Sequence, residues 1–281
     1  MRGSGTDDGR ARRFGRRRVL AVGGAVGLSG LIAACSSGRS PGPGATEAAT
    51  TPDVPALLTR APQCVAIPEQ TQGPYWFDVD SIRNDIREGR PGSRFDLVVR
   101  VQDTASCTPQ GGGAIPNAVV ELWHCDASGA YSGFESSSRS ANDGAPPEQA
   151  PAPGKVEVSH GSYSEGNGFF APTDHDTFLR GAQVTDGAGV VRFTTVFPGW
   201  YTGRTTHIHL KVHIDRQTVR TTQLYFDEAL IDAIYATDPY NLHTGRERNV
   251  TNATDAIFDP LGLVTVVPTA DGHLGAVNIV V

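Results

Sequence analysis

Apolar and polar residues alternate through residues 95–102, where Phe95, Leu97, Val99 and Val101 take every second position among Asp96, Val98, Arg100 and Gln102. Side chains on a strand point to opposite faces in turn, so this spacing predicts a strand with one face in a core. Residues 119–124 form a second compact run, and others lie at 190–197, 207–214 and 221–226 with turn residues between them. An antiparallel meander is the economical arrangement of such runs. One short helix is predicted from Asp227 to about Ala236, because Leu230, Ile231 and Ile234 share a face and Asp238-Pro239 ends it. The Val-rich C-terminus returns to strands. The expected fold class is therefore all-β: an immunoglobulin-like, antiparallel β-sandwich core with long loops and a short helix in the C-terminal half.

Two stretches lack such a pattern. Residues 136–154 are rich in Ser, Asn, Gly, Pro and Ala, which predicts a surface excursion inside the domain. Residues 36–55 have a similar composition and predict a disordered tether. Ahead of the tether, Arg12, Arg13, Arg16, Arg17 and Arg18 precede an apolar run that begins at Val19 and closes with Ile32-Ala33-Ala34-Cys35. This is the layout of an export signal. The run is glycine-rich and shorter than the roughly 20 apolar residues a bilayer span needs. The arginines beside Val19-Leu20 resemble a twin-arginine leader and the last four residues a lipobox, which implies acylation of Cys35 and an exported, lipid-anchored protein. The chain then divides into a leader over 1–34, a tether over 35–58 and one globular domain over 59–281.

Removing the leader changes the charge picture. The whole chain carries 24 basic and 30 acidic residues, and the leader holds seven of the first and two of the second, leaving −11. An acidic mature chain argues against nucleic acid and anionic membrane surfaces as partners, so membrane attachment would come only through lipid on Cys35. With Cys35 given to lipid, Cys64, Cys107 and Cys125 remain, an odd number in an oxidising compartment. One disulfide and one free thiol are expected, with the pairing open. The absence of a CxxC pair argues against zinc held by cysteines.

Candidate chemistry centres on the run at 207–214. A period of two puts His207, His209, Lys211 and His213 on one face and four aliphatic residues on the other. Histidines at i and i+2 of a strand can offer both imidazoles to one metal ion, although for the pair alone a solvent-facing polar stripe is the plainer reading. The approach to the strand, Phe197-Pro198-Gly199-Trp200-Tyr201-Thr202-Gly203-Arg204-Thr205-Thr206, tips the balance by bringing a tyrosine and an arginine close. An earlier strand end, from Trp123 through Gly129 and Gly133 to Phe134, places Tyr131 in a glycine-flanked loop; alone it reads as a packed anchor.

Together these residues resemble the intradiol ring-cleavage dioxygenases, the group that contains the catechol and protocatechuate dioxygenases, from roughly Cys64 to Phe226. The extracellular branch is the closer likeness. The resemblance implies an Fe(III) centre ligated by Tyr131, Tyr201, His207 and His209, with Arg204 and Gln223 beside the substrate and Tyr201 taking a proton from it. Phenolates are hard anionic donors and suit ferric iron. A small aromatic diol and O2 are the implied substrates, and a cis,cis-muconate-type dicarboxylic acid the product. Thr71-Gln72-Gly73-Pro74-Tyr75 matches a family segment in which glutamate is frequent at the second position, and Phe178-Leu179-Arg180-Gly181 with residues 186–193 looks like the approach to the second tyrosine. The stretch from Tyr201 to His207 is shorter than in the cytosolic enzymes, and their helical dimerisation segment is missing. Substrate identity and oligomeric state therefore do not transfer.

His124 and His213 are expected to be structural or exposed, and Trp76, Trp123 and Trp200 to belong to the core. Two other classes compete: a non-catalytic, envelope-tethered β-sandwich that binds an aromatic or carbohydrate ligand, and a zinc hydrolase, for which no third ligand sits at a telling spacing.

Overall fold

The computed structural model describes residues 52–108, 112–142, 156–157, 163–164, 167–168, 170–243 and 250–281; the leader, Cys35 and the tether up to residue 51 lie outside the described residues. In chain order the elements are α1 (Val54–Arg60), β1 (Arg94–Gln102), β2 (Val119–Trp123), α2 (Glu135–Asn142), β3 (Val156–Glu157), β4 (Asn167–Gly168), β5 (Arg180–Val184), β6 (Val190–Val196), β7 (His207–Ile214), β8 (Gln217–Tyr225), α3 (Glu228–Tyr235), β9 (Thr265–Thr269) and β10 (Gly272–Val280). Two four-stranded sheets dominate, ordered β6-β1-β10-β9 and β5-β2-β7-β8. Among the described residues no helix is long and apolar enough to cross a membrane.

The period of two becomes a sandwich because each sheet turns an aliphatic face to the same core. Phe95, Leu97 and Val99 of β1, Phe193 of β6 and Val277 and Ile279 of β10 meet Val120 and Leu122 of β2, Ile208, Leu210 and Val212 of β7 and Leu224 of β8 in one buried cluster. The all-β sandwich is thus the observed fold. The meander is not: β1 pairs in parallel with β10, the last strand, and antiparallel with β6. Alternation marks which face of a strand is buried and carries no information on its neighbours.

The predicted helix is α3, capped by the Asp227 side chain on the Ala229 N–H, with Ile231 and Ile234 buried. Two further helices correct the expectations for unpatterned segments. α1 begins inside the region assigned to the tether, capped by Asp53 with Pro55 in its first turn. Its Leu57 and Leu58 pack on Val98, Leu274 and Ala276, so the ordered domain starts before residue 59. α2 occupies the start of the expected surface excursion. The open cysteine question closes with Cys64 bonded to Cys107, while Cys125 is a buried free thiol.

Candidate metal centre

The outer face of the second sheet is assembled by strand register. On β7 it carries His207, His209, Lys211 and His213, all buried rather than solvent-facing. β2 sets Trp123 opposite His209 and Glu121 opposite Lys211, and β8 sets Gln223 opposite His209 and Tyr225 opposite His207. Directly paired residues share a face. Trp123 stacks on His209 with ring centroids 4.9 Å apart and planes 3° from parallel, which fixes that imidazole. His207 is fixed through Nδ1, 2.7 Å from the Thr205 carbonyl oxygen, so its proton sits there and the Nε2 lone pair turns inward.

Three donor atoms converge. His207 Nε2 lies 3.1 Å from His209 Nε2 and 3.2 Å from Tyr201 Oη. The Tyr131 ring sits 5.8 Å from that of Tyr201 and 6.1 Å from that of His209, and its buried hydroxyl makes no well-formed hydrogen bond among the described residues, with the Tyr201 hydroxyl near enough to act on it electrostatically. All four side chains singled out in the sequence are therefore brought together, from two loops and one strand.

Close backbone approaches hold the loops there. A Cβ on Gly199 would lie 2.3 Å from the Asp126 carbonyl oxygen, so only glycine lets the segment leading to Tyr201 pack against the loop leading to Tyr131. Gly73, at φ +72°, lies over His209, where a Cβ would come within 3.2 Å of Cε1. Arg180 grips the Tyr131 loop from below, donating from Nε to Ser132 Oγ and from Nη2 to the Ser132 carbonyl, each at 2.8 Å.

Arg204 and Gln223 also meet at this centre. Arg204 Nη2 donates to Gln223 Oε1 at 2.5 Å, and Gln223 Nε2 donates to the Thr71 carbonyl at 2.9 Å. Sequence reasoning missed Asp255, which accepts Arg204 Nε at 2.9 Å, and Tyr225, whose hydroxyl donates to Gln223 Oε1 at 3.1 Å. Tyr225 lies in the predicted strand run at 221–226, but only the register seen in the structure sets it opposite His207, and no local signal marks Asp255. Thr71, Gly73, Pro74, Phe170, Tyr201, Arg204 and Ile257 line a cavity of about 380 Å³ over the centre, which Tyr201 reaches and Tyr131 does not.

The electrostatics fit a hard cation. Burial, aided by Arg204, pushes His207 down to about 3, and burial, aided by His207, holds His209 well below the ordinary imidazole range. Both are neutral donors. Burial raises both tyrosine hydroxyls, Tyr131 strongly, so neither ionises without a positive charge nearby. A cation at the convergence point would supply that charge, engage the Tyr131 hydroxyl and separate two imidazole nitrogens otherwise in mutual contact. Two nitrogens and two phenolic oxygens fit iron in its oxidised state better than zinc in a structural site.

The other two histidines singled out in the sequence fall outside the centre. His124 is buried and structural, with Nδ1 2.8 Å from the Cys125 carbonyl oxygen and Nε2 2.8 Å from Thr195 Oγ1. His213 contacts Glu121 and Thr218. Trp76, Trp123 and Trp200 are all buried, as expected of core residues.

No family model matches the chain. The beta chain of protocatechuate 3,4-dioxygenase from Burkholderia cepacia is 29% identical over 172 residues, which is 58% of this chain and 56% of that protein, so the match spans little more than half the relative's length. The solved structure of an intradiol ring-cleavage dioxygenase from Tetranychus urticae is 31% identical, with a TM-score of 0.61, over 77% of this chain and 94% of that one.

Proposed function

This chain belongs to the intradiol ring-cleavage dioxygenase family, and we propose that it uses Fe(III), held by Tyr131, Tyr201, His207 and His209, to open a catechol-type ring with O2 between its two hydroxyl-bearing carbons. The product would be a cis,cis-muconate-type dicarboxylic acid containing both oxygen atoms. Ferric iron, when bound, would supply a Lewis acid that takes the diol as its dianion and makes the ring reactive toward O2.

The protein's own groups do the positioning and the proton transfer. Tyr201 lines the cavity whereas Tyr131 is sealed beneath it, so Tyr201 is the phenol able to take a proton from an entering diol at Oη. Arg204 projects into the same cavity and is held by Asp255 and Gln223, ready to favour negative charge developing on the ring. Pro74, Phe170 and Ile257 supply the apolar wall that orients an aromatic substrate and excludes water.

The observation that carries this reading is the approach of His209 Nε2 and Tyr201 Oη to within 3.1 and 3.2 Å of His207 Nε2, beside a buried Tyr131 hydroxyl that makes no well-formed hydrogen bond among the described residues. Iron-loaded protein is expected to be burgundy, from phenolate-to-iron charge transfer, and to convert catechol to an ultraviolet-absorbing diacid with one O2 consumed per ring. Tyr201→Phe is expected to weaken the colour and nearly abolish ring opening. A colourless protein that takes zinc but no iron and leaves catechols intact would overturn the proposal.

We also propose export and lipid anchoring, supported by the arginine-rich leader and by Ile32-Ala33-Ala34-Cys35. Incorporation of labelled fatty acid that disappears in Cys35→Ser tests it.

A further inference from the structure

Arg204 brings its own counter-ion to the cavity. Asp255 Oδ2 accepts Arg204 Nε at 2.9 Å and the Thr205 N–H at 2.7 Å, and Asp255 Oδ1 accepts the Ile257 N–H at 2.8 Å. The Asp255 side chain is 1% exposed and that of Arg204 14%. Burial alone would raise the Asp255 carboxyl, but hydrogen bonds from the Thr205 and Ile257 amides and from Arg204 hold it below its ordinary range, so it is an anion at neutral pH. The ion pair therefore adds no net charge to a cavity whose described walls otherwise include Pro74, Phe170 and Ile257, and among the described lining residues Arg204 alone is charged.

We propose that Asp255 is a specificity-determining residue: by cancelling the Arg204 charge it fits the cavity to catechols with neutral, apolar ring substituents and sets it against catechols bearing a ring carboxylate. This rests on the ring-cleavage reading above. An ion pair still presents its guanidinium end to the cavity and stabilises negative charge that develops in contact with it. A permanent carboxylate elsewhere on the ring meets apolar walls and a pair of zero net charge, so it loses its water without compensation.

The test uses the iron-loaded chain and two diols of similar size, 4-methylcatechol and 3,4-dihydroxybenzoate. The parent is expected to favour the methyl compound in kcat/KM by about tenfold or more, and Asp255→Asn, which leaves Arg204 uncompensated, to lower that ratio by about tenfold. Asp255→Glu is expected to keep the parent ratio. Should Asp255→Asn fail to fold, the parent still decides the matter through anaerobic binding, read as perturbation of the visible band: binding of the carboxylated diol as tightly as the methylated one overturns the proposal. So does a parent preference for the carboxylated diol, or a ratio unmoved in a folded, iron-replete Asp255→Asn. Those results leave ring cleavage standing, whereas failure to cleave either diol removes both readings.

Discussion

Two halves of one polar stripe on β7 are buried alike and satisfied differently. Lys211 and His213 are 4% and 1% exposed, and His207 and His209 are each 2%. In the distal half the polar atoms find partners of opposite character: Lys211 Nζ donates to Gln72 Oε1 at 2.8 Å and sits 3.3 Å over the Trp76 ring, while His213 Nε2 lies 3.1 Å from Glu121 Oε2. In the proximal half two imidazole nitrogens and a phenol face one another, with a second phenol beside them. Equal desolvation with unequal satisfaction teaches that burial of polar groups alone does not mark a site. What marks it is a cluster of acceptor-type atoms directed at a common point.

The sharpest way to break this contrast is to make the proximal half ordinary. Tyr131→Phe deletes a buried hydroxyl that makes no well-formed hydrogen bond among the described residues and has only the Tyr201 hydroxyl acting on it as a weak neighbour. Metal-free protein is expected to keep its urea midpoint or gain up to about 1 kcal/mol, since an unsatisfied buried group is removed. Ring opening is expected to fall by more than about 100-fold, beyond the usual loss for a group that merely supports a metal ligand. Opposite signs for stability and function are the signature of a ligand; a variant that turns over like the parent would take Tyr131 out of the centre.

The two halves also differ in how far the sequence betrays them. The period of two at 207–214 makes the shared face legible without any structure, and Asp227 and Pro239 make α3 legible, because caps and breakers act locally. The tyrosines are different: a phenol in a glycine-flanked loop has no spacing that distinguishes ligand from anchor, so Tyr201 stood out only by its closeness to the histidine pair and Tyr131 only by family likeness. Asp255 is invisible for a plainer reason, since it reaches Arg204 across 51 residues from a loop without periodicity. α1 was hidden because its apolar pair, Leu57 and Leu58, sits at the edge of a segment whose bulk composition reads as disorder. The parallel β1–β10 pairing lay beyond reach because either direction buries the same alternating face.

The distal half predicts the reverse phenotype. Glu121 is its hub, accepting the Trp76 indole N–H at 3.1 Å through Oε1 and contacting His213 through Oε2, while its negative charge favours the Lys211 ammonium. Glu121→Ala leaves a buried cation and two buried ring nitrogens short of a partner at once. The expected cost is about 3–5 kcal/mol, the range for stranding a buried charge, read as a fall in the urea midpoint of metal-free protein. The fraction that remains folded is expected to bind iron with an unchanged visible band, because neither oxygen of Glu121 touches a donor of the proximal half.

Lys211→Met should cost far less, although it removes the cation from the same network. Burial works against the Lys211 ammonium, so the native protein already carries a desolvation penalty that methionine does not. Methionine follows nearly the same path over the Trp76 ring, and its thioether packs well against an aromatic face. Glu121 keeps both the Trp76 and His213 contacts. The lost hydrogen bond to Gln72 remains as a debit, so a fall of less than about 1.5 kcal/mol is expected, typical of a swap that conserves volume. The ratio of the two losses is the measurement that matters. If Lys211→Met proves as costly as Glu121→Ala, the ammonium rather than the carboxylate organises the distal half, and Glu121 is not its hub.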